Sequence, residues 1–307
     1  MRYPGRVHAG SQLTFRSMGT DAHVIVVGGH EALADAARRR LFDLEQRWSR
    51  FLPGSEVNRL TEGAGTPVEV SWETRLLVER AVEAWRLTGG SFDPTVLGAV
   101  IRSGYDRPFD ALDGRVGASD LVIGCTDIDV DATTVRLPAG TGFDAGGIGK
   151  GMAADLVAAE VIDGGADGVC VNIGGDLRVM GASPDGPWTI AIEHEWFDRP
   201  VALVGLAEGA VATSTTLRRQ WTLDGETETR HHLIDPHTGR PATTDLTLAT
   251  VITGDAWIAE VMAKAVILRG AANAFDLLGR DDAALAIDDR GVVSVSHGFG
   301  AFTGAAA

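Results

Sequence analysis

At 307 residues the chain is long enough for one large domain or two closely joined ones, and its 45% hydrophobic and 22% charged content is that of an ordinary soluble globular protein. A formal charge of −15 argues against nucleic acid or an anionic membrane surface as a general partner, so an anionic ligand needs local compensation. Cys125 and Cys170 stand far apart and outside any Cys-x-x-Cys pair, which excludes a disulfide framework and leaves two buried, reduced thiols as the expectation.

Residues 1–12 form a polar, flexible lead without the apolar core of a signal peptide, and nowhere is there an apolar run long enough to span a bilayer. A cytoplasmic protein with no direct membrane insertion is expected. The segment 13–20 breaks at Gly19 and gives way to a buried strand over 22–27. Leu33, Ala37, Leu41, Leu44 and Trp48 keep helical spacing, so 31–48 is an amphipathic helix. The stretch 50–60 reads as a loop of turn residues carrying an exposed aromatic, Phe51. A second helix over 72–87 places Leu77, Ala81 and Trp85 on one face and stops at Thr88-Gly89-Gly90. Ser91-Phe92-Asp93-Pro94-Thr95-Val96 is an Asp-Pro turn able to start another helix; 104–117 is loop-like, and 121–124 and 134–137 are short strands.

These lead into Phe143-Asp144-Ala145-Gly146-Gly147-Ile148-Gly149-Lys150-Gly151, followed by a helix over 152–162. A glycine-rich turn feeding a helix offers backbone N–H groups at the positive end of the helix dipole, a place for a phosphate or diphosphate. The turn matches neither Gly-x-x-x-x-Gly-Lys-Ser/Thr nor Gly-x-Gly-x-x-Gly, so a plain strand–helix turn competes with that reading. The lysines tip the balance. Of 27 basic residues only Lys150 and Lys264 are lysine, which marks both as places that require a compact ammonium.

The second half is richer in strands. Val169 opens a strand that ends in Asn172-Ile173-Gly174-Gly175-Asp176. Strands follow at 188–192, 201–204 and 209–213, with a hairpin over 221–234 turning at Asp224-Gly225. A strand over 246–253 and a helix over 255–268, with Asp255 as N-cap, precede a final hairpin at 284–295. The order argues for a single α+β unit with two lobes over 13–303.

Two groups carry chemistry. His232, with Asp235 nearby at a strand end, can accept a proton from a hydroxyl near neutral pH, whereas His231 and His237 are less well placed. Glu260 and Lys264 stand one turn apart on a helix that is apolar on nearly all sides, so this ion pair is buried rather than a solvated surface pair.

Taken together, Met18-Gly19-Thr20, Phe51 with Ser55-Glu56-Val57-Asn58, Gly89 to Val96, Asp144 to Gly151, Asn172 to Asp176, Ala212-Thr213-Ser214 and His232 to Pro241 resemble, in order, the ApbE family of FAD:protein FMN transferases. The resemblance implies FAD bound in a cleft between the two lobes. Its diphosphate would be cleaved with Mg2+, FMN passed to a threonine hydroxyl in a Ser/Thr-rich motif of an acceptor protein, and AMP released. By motif position Met18, Phe51, Ser91, Phe92, Asp93, Asp144, Lys150 and Ile234 would line the FAD site, Phe51 replacing a tyrosine, and His232 would be the base. The late helix departs from the pattern. Where the family has an Asp and a Thr that bind Mg2+ with a carbonyl from the glycine turn, this chain has Glu260 and Lys264, with Gly147 as carbonyl donor. Glutamate can ligate Mg2+; a protonated lysine cannot. Either the Lys264–Glu260 pair takes over charge neutralisation in the catalytic site, or the chain is a non-catalytic FAD-binding protein; an FAD diphosphatase is the further alternative. The intact His232 favours an active transferase.

Overall fold

In a computed structural model that describes residues 10–303, the chain folds around an eight-stranded antiparallel sheet whose spatial order is its chain order. The strands are β1 (Gly10–Ser17), β2 (Thr20–Val27), β3 (Gly168–Ile173), β4 (Asp176–Gly181), β5 (Gly209–Thr215), β6 (Leu246–Thr253), β7 (Ala283–Asp288) and β8 (Val293–Val295). The expected lead over 1–12 falls mostly outside the described residues, and β1 already runs from Gly10.

Between β2 and β3 the chain makes its long excursion through α1 (Ala32–Trp48), α2 (Glu56–Glu62), α3 (Trp72–Leu87), α4 (Leu97–Arg102) and α5 (Gly149–Asp163); α6 (Ala256–Arg269) separates β6 from β7, and α7 (Gly300–Thr303) closes the described chain. Helices α1, α5 and α6 cover one sheet face, where Val24, Leu41, Leu44, Ala153, Val157 and Val171 meet in the largest core. A hairpin of Trp188–Ile192 with Ala202–Leu206 covers the other, joined by Phe299. Strand β6 is buried at every position, because it has cover on both faces.

Helices α5 and α6 owe their burial to small residues. Met152, Ala153, Ala154, Val157 and Ala158 of α5 and Ala259, Ala263 and Ala265 of α6 leave no polar stripe, so neither helix is stable except inside the core. They approach most closely at Gly151, where an added Cβ would lie 2.3 Å from the Ala256 carbonyl oxygen. Gly151→Ala should therefore lower stability by about 1–3 kcal/mol in urea unfolding, the usual cost of overpacking.

Several expectations shift. Residues 50–60 are not all loop: Ser55 accepts the Asn58 N–H and starts α2, while Asn58 Nδ2 donates to the Arg50 and Leu52 carbonyls at 3.1 and 2.9 Å, holding the Phe51 turn. No strand forms over 121–124, where Val122 makes one isolated bridge to Thr141. Strand β4 was not anticipated. The 221–234 hairpin pairs only Gln220–Thr222 with Thr229–His231, across a longer turn. Asp255 makes no side-chain cap on α6; Asp155 of α5 caps it instead, accepting the Ala256 and Trp257 N–H groups at 2.9 Å each. Among the described residues no helix is long and apolar enough to cross a membrane. Cys125 is buried and Cys170 half-buried, both unbridged, and burial pushes each thiol up to about 12.

Candidate active site

The β1–β2 turn, the Arg50–Phe51 loop, the Asp-Pro turn, the glycine turn and the segment after Thr229–His231 converge on one end of the helical layer. Asp144 N–H donates to the Pro94 carbonyl at 2.8 Å and Phe143 N–H to Thr61 Oγ1 at 3.1 Å, which ties the glycine turn to the Asp-Pro turn and to α2. Asp93 is buried, accepts Thr95 N–H at 2.7 Å, and is raised by burial. Asp144 Oδ1 accepts the Gly146 N–H at 2.8 Å. Met18, at φ 50°, and Gly19, at φ 69°, form the two centres of the β1–β2 turn. A non-glycine residue held there is strained, and Met18 faces the cavity described next.

That cavity, of about 400 Å3, is lined by every residue the sequence assigned to a ligand: Met18, Phe51, Ser91, Phe92, Asp93, Asp144, Gly147, Lys150, His232, Ile234 and Lys264, with Glu260 alone behind its wall. Its aromatic end is a stack that sequence reasoning missed. The Arg50 guanidinium lies 4.1 Å from the Phe51 ring centre and 4.6 Å from that of Tyr105, which in turn contacts Trp221. Phe51 is thus half-buried rather than exposed, and Tyr105 brings a phenol beside it. A second cavity of about 470 Å3 is more polar, with Glu193, His194, Glu195, Arg199, Thr213 and Ser214 on its walls. Gly146, Lys150, Arg219, His232 and Lys264 line both cavities and form the partition between them.

The partition stands on buried carboxylates. Lys150 Nζ, from the first turn of α5, contacts both Asp176 of β4 and Glu260 of α6. Lys264 Nζ lies 3.1 Å from Glu260 Oε1, and the Gly151 N–H donates to Glu260 Oε2 at 2.8 Å. The Glu260 and Asp176 side chains are 0% and 4% exposed; those of Lys150 and Lys264 are 17% and 13% exposed and face the cavities. Burial alone would push the Glu260 carboxyl up, but the two ammoniums and the Gly151 N–H outweigh it and hold it down at about 2. Burial lowers both lysines; Asp176 and Glu260 reverse this at Lys150, which ends above its ordinary value, while Lys264 stays below its own. Asp176, whose Gly-Gly-Asp turn was visible in sequence, gave no sign there that it would pair with Lys150.

The glycine turn is only in part an open N–H cradle. The Gly146 N–H is taken by Asp144, Ile148 N–H by the Ala145 carbonyl, and Gly151 N–H by Glu260. The positive end of α5 already faces one carboxylate, Glu260, and Lys150 and Lys264 stand beside it at the cavities.

His232 has a different environment from its neighbours. His231 Nε2 lies 3.1 Å from the Ala242 carbonyl and its Nδ1 accepts the Leu233 N–H, so that ring is fixed, and Asp235 Oδ1 accepts the His237 N–H within its own turn. His232 Nδ1 is buried without a hydrogen-bond partner. Burial, then Arg219 and Lys264, lower its pKa well below 6.5, so the imidazole is neutral at physiological pH and able to take a proton.

A divalent cation at Gly147 and Glu260 does not fit these residues. Both Glu260 oxygens are engaged, two ammoniums occupy the space before the carboxylate, and Lys264 has no lone pair while protonated. Among the described residues no cluster of three His, Cys, Asp or Glu side chains is placed to hold a metal ion.

Fold and site together define an α+β protein with Lys150, Lys264 and Arg219 on the cavity walls beside an unprotonated histidine. The family is shown by comparison. The ApbE family model matches residues 18–287, and the chain belongs to that family. It is 29% identical over 242 residues to an FAD:protein FMN transferase of Vibrio cholerae, covering 76% of this chain and 72% of that protein. A protein of the same name from Treponema pallidum is 30% identical over 262 residues, covering 76% and 72%. The crystal structure of the ApbE protein of Thermotoga maritima superposes with a TM-score of 0.85 at 25% identity, covering 96% of this chain and 99% of that one. The apo flavinyl transferase ApbE of Pseudomonas stutzeri gives 0.83 at 25% identity, covering 98% of each.

Proposed function

We propose that this chain is an FAD:protein FMN transferase: it binds FAD and transfers FMN to a threonine hydroxyl of an acceptor protein, releasing AMP. The observation that carries the reading is the partition. His232, Lys150, Lys264 and Arg219 stand where two cavities meet, one apolar enough for a flavin and one polar enough for a peptide. Names and folds of the relatives support the same activity.

In this reading FAD lies in the first cavity. Its aromatic rings meet the Arg50–Phe51–Tyr105 stack with Met18 and Ile234, and its phosphates meet the partition between Ser91, Asp93, Asp144 and the lysines. The acceptor hydroxyl approaches through the second cavity, past Thr213 and Ser214. His232 takes the hydroxyl proton as the Oγ–P bond forms. The P–O bond to the bridging oxygen breaks, and AMP leaves with that electron pair. Positioning and charge complementarity supply most of such a barrier reduction. The residues at Glu260 and Lys264 do not fit Mg2+, and the acceptor carries its threonine in a Ser/Thr-rich segment.

Two results test this. AMP release from FAD should require an acceptor peptide; release to water alone would make the chain a diphosphatase, and tight FAD binding without any AMP would make it a carrier. The pH dependence follows from His232. Its lowered pKa keeps the base form below pH 6.5, so transfer should fall only as pH drops through that lowered value. An acid limb at or above 6.5 in kcat/KM would exclude His232 as the base in this environment.

A further inference from the structure

The chain's only two lysines meet on one carboxylate. Every other basic residue is arginine, so the composition of the chain does not account for lysine at both positions. The geometry does. A guanidinium is a broad fork, whereas two compact ammoniums fit within reach of the single oxygen Glu260 Oε1. Glu260 lies behind, sealed from solvent, Asp176 borders the second cavity at only 4% exposure, and the ammoniums face the cavities with Arg219 beside them. Seen from the first cavity the partition is a cationic surface; Glu260 is at its back and Asp176 on its far side.

We infer that Lys264, anchored on Glu260 beside Lys150, is a built-in cation that serves the FAD diphosphate in place of a divalent metal, so that this chain binds FAD and transfers FMN without Mg2+. The inference rests on the transferase reading for its substrate. In the transfer step two electrons of the P–O bond leave with AMP and the hydroxyl proton goes to His232. The lysines form and break no bond; they offset the charge that develops on the phosphoryl oxygens. A dication placed before Glu260 would face two ammoniums at contact distance, on a carboxylate whose oxygens are already held by those ammoniums and the Gly151 N–H.

The test reads metal without turnover. Mn2+ is titrated into the FAD complex and followed by electron paramagnetic resonance, and the FAD dissociation constant is measured in EDTA and in millimolar Mg2+. The wild type should leave Mn2+ free in solution and hold FAD equally, within about twofold, in both buffers. Lys264→Thr, which supplies a hydroxyl and removes the charge, should bind Mn2+ and need Mg2+ to regain FAD affinity. Stoichiometric Mn2+ binding by the wild type, or a tenfold gain in its FAD affinity with Mg2+, overturns the inference without reference to any variant. Transfer to an acceptor peptide is then measured in the same two buffers. Equal rates support a metal-free step, and a rate that collapses in EDTA contradicts it. If neither buffer yields FMN-peptide, the transferase reading is what fails, and the metal and FAD titrations still decide the role of Lys264.

Discussion

His232→Asn should lower FMN transfer by about 10²–10⁴-fold and leave FAD affinity nearly unchanged, since a positioned general base contributes on that scale. The side chain lines both cavities, and its Nδ1 is buried with no protein partner, so removing the imidazole breaks no network that the fold depends on. The effect should therefore fall on kcat in single-turnover assays, with thermal unfolding unmoved. A second reading separates base from scaffold: the acid limb seen in the wild type should vanish in the variant. His231→Asn provides the contrast. That ring bridges the Ala242 carbonyl and the Leu233 N–H, so its loss should cost stability and little chemistry. A His232 variant that retains transfer within about threefold would remove the base from the mechanism.

Lys150→Met should cost about 3–5 kcal/mol of stability in urea unfolding, the range for stripping one partner from a buried ion pair. Asp176 would lose the ammonium it contacts and Glu260 would keep only Lys264 and the Gly151 N–H. The sign with pH is fixed. In the wild type the Glu260 carboxyl, held at about 2 against an ordinary 4.5, contributes stability that is complete above about 4.5 and lost as pH falls toward 2. Without Lys150 the buried carboxylates rise, so the variant suffers most at neutral pH and the gap from wild type should narrow steadily as pH falls from neutral. A constant gap between pH 4 and 7 would show that Lys150 acts through packing instead.

Elements with a strong local signal were legible from sequence. The 72–87 helix and the 246–253 strand fall at the observed bounds because a capped amphipathic period and an unbroken apolar run need no tertiary information. What the sequence hid was long-range. Asp155 and Asp255 are equally plausible caps for α6 by residue type, and only the packing of α5 against it, 101 residues away in sequence, decides for Asp155. Likewise the antiparallel order of the sheet depends on a chain that leaves β2 and returns at β3 after five helices. Within the site, residue types and motif order brought Met18, Phe51, Ser91, Asp93, Asp144, Lys150 and His232 to one cavity. They did not disclose that Asp176 anchors Lys150, that Arg50 and Tyr105 flank Phe51, or that Arg219 joins the partition. No local pattern marks those residues. Arg219 alone leaves a trace, a positive φ of 50° shared with Met18 at the other edge of the cavity, and that is visible only in the fold.

The most direct measurement is the intact mass of a threonine-bearing acceptor peptide after incubation with the purified protein and FAD, with tandem spectra to place any adduct. A mass gain of one FMN phosphoester on the threonine is expected, matched mole for mole by AMP. FAD held firmly in the cavity, with unmodified peptide and no AMP, would contradict that expectation.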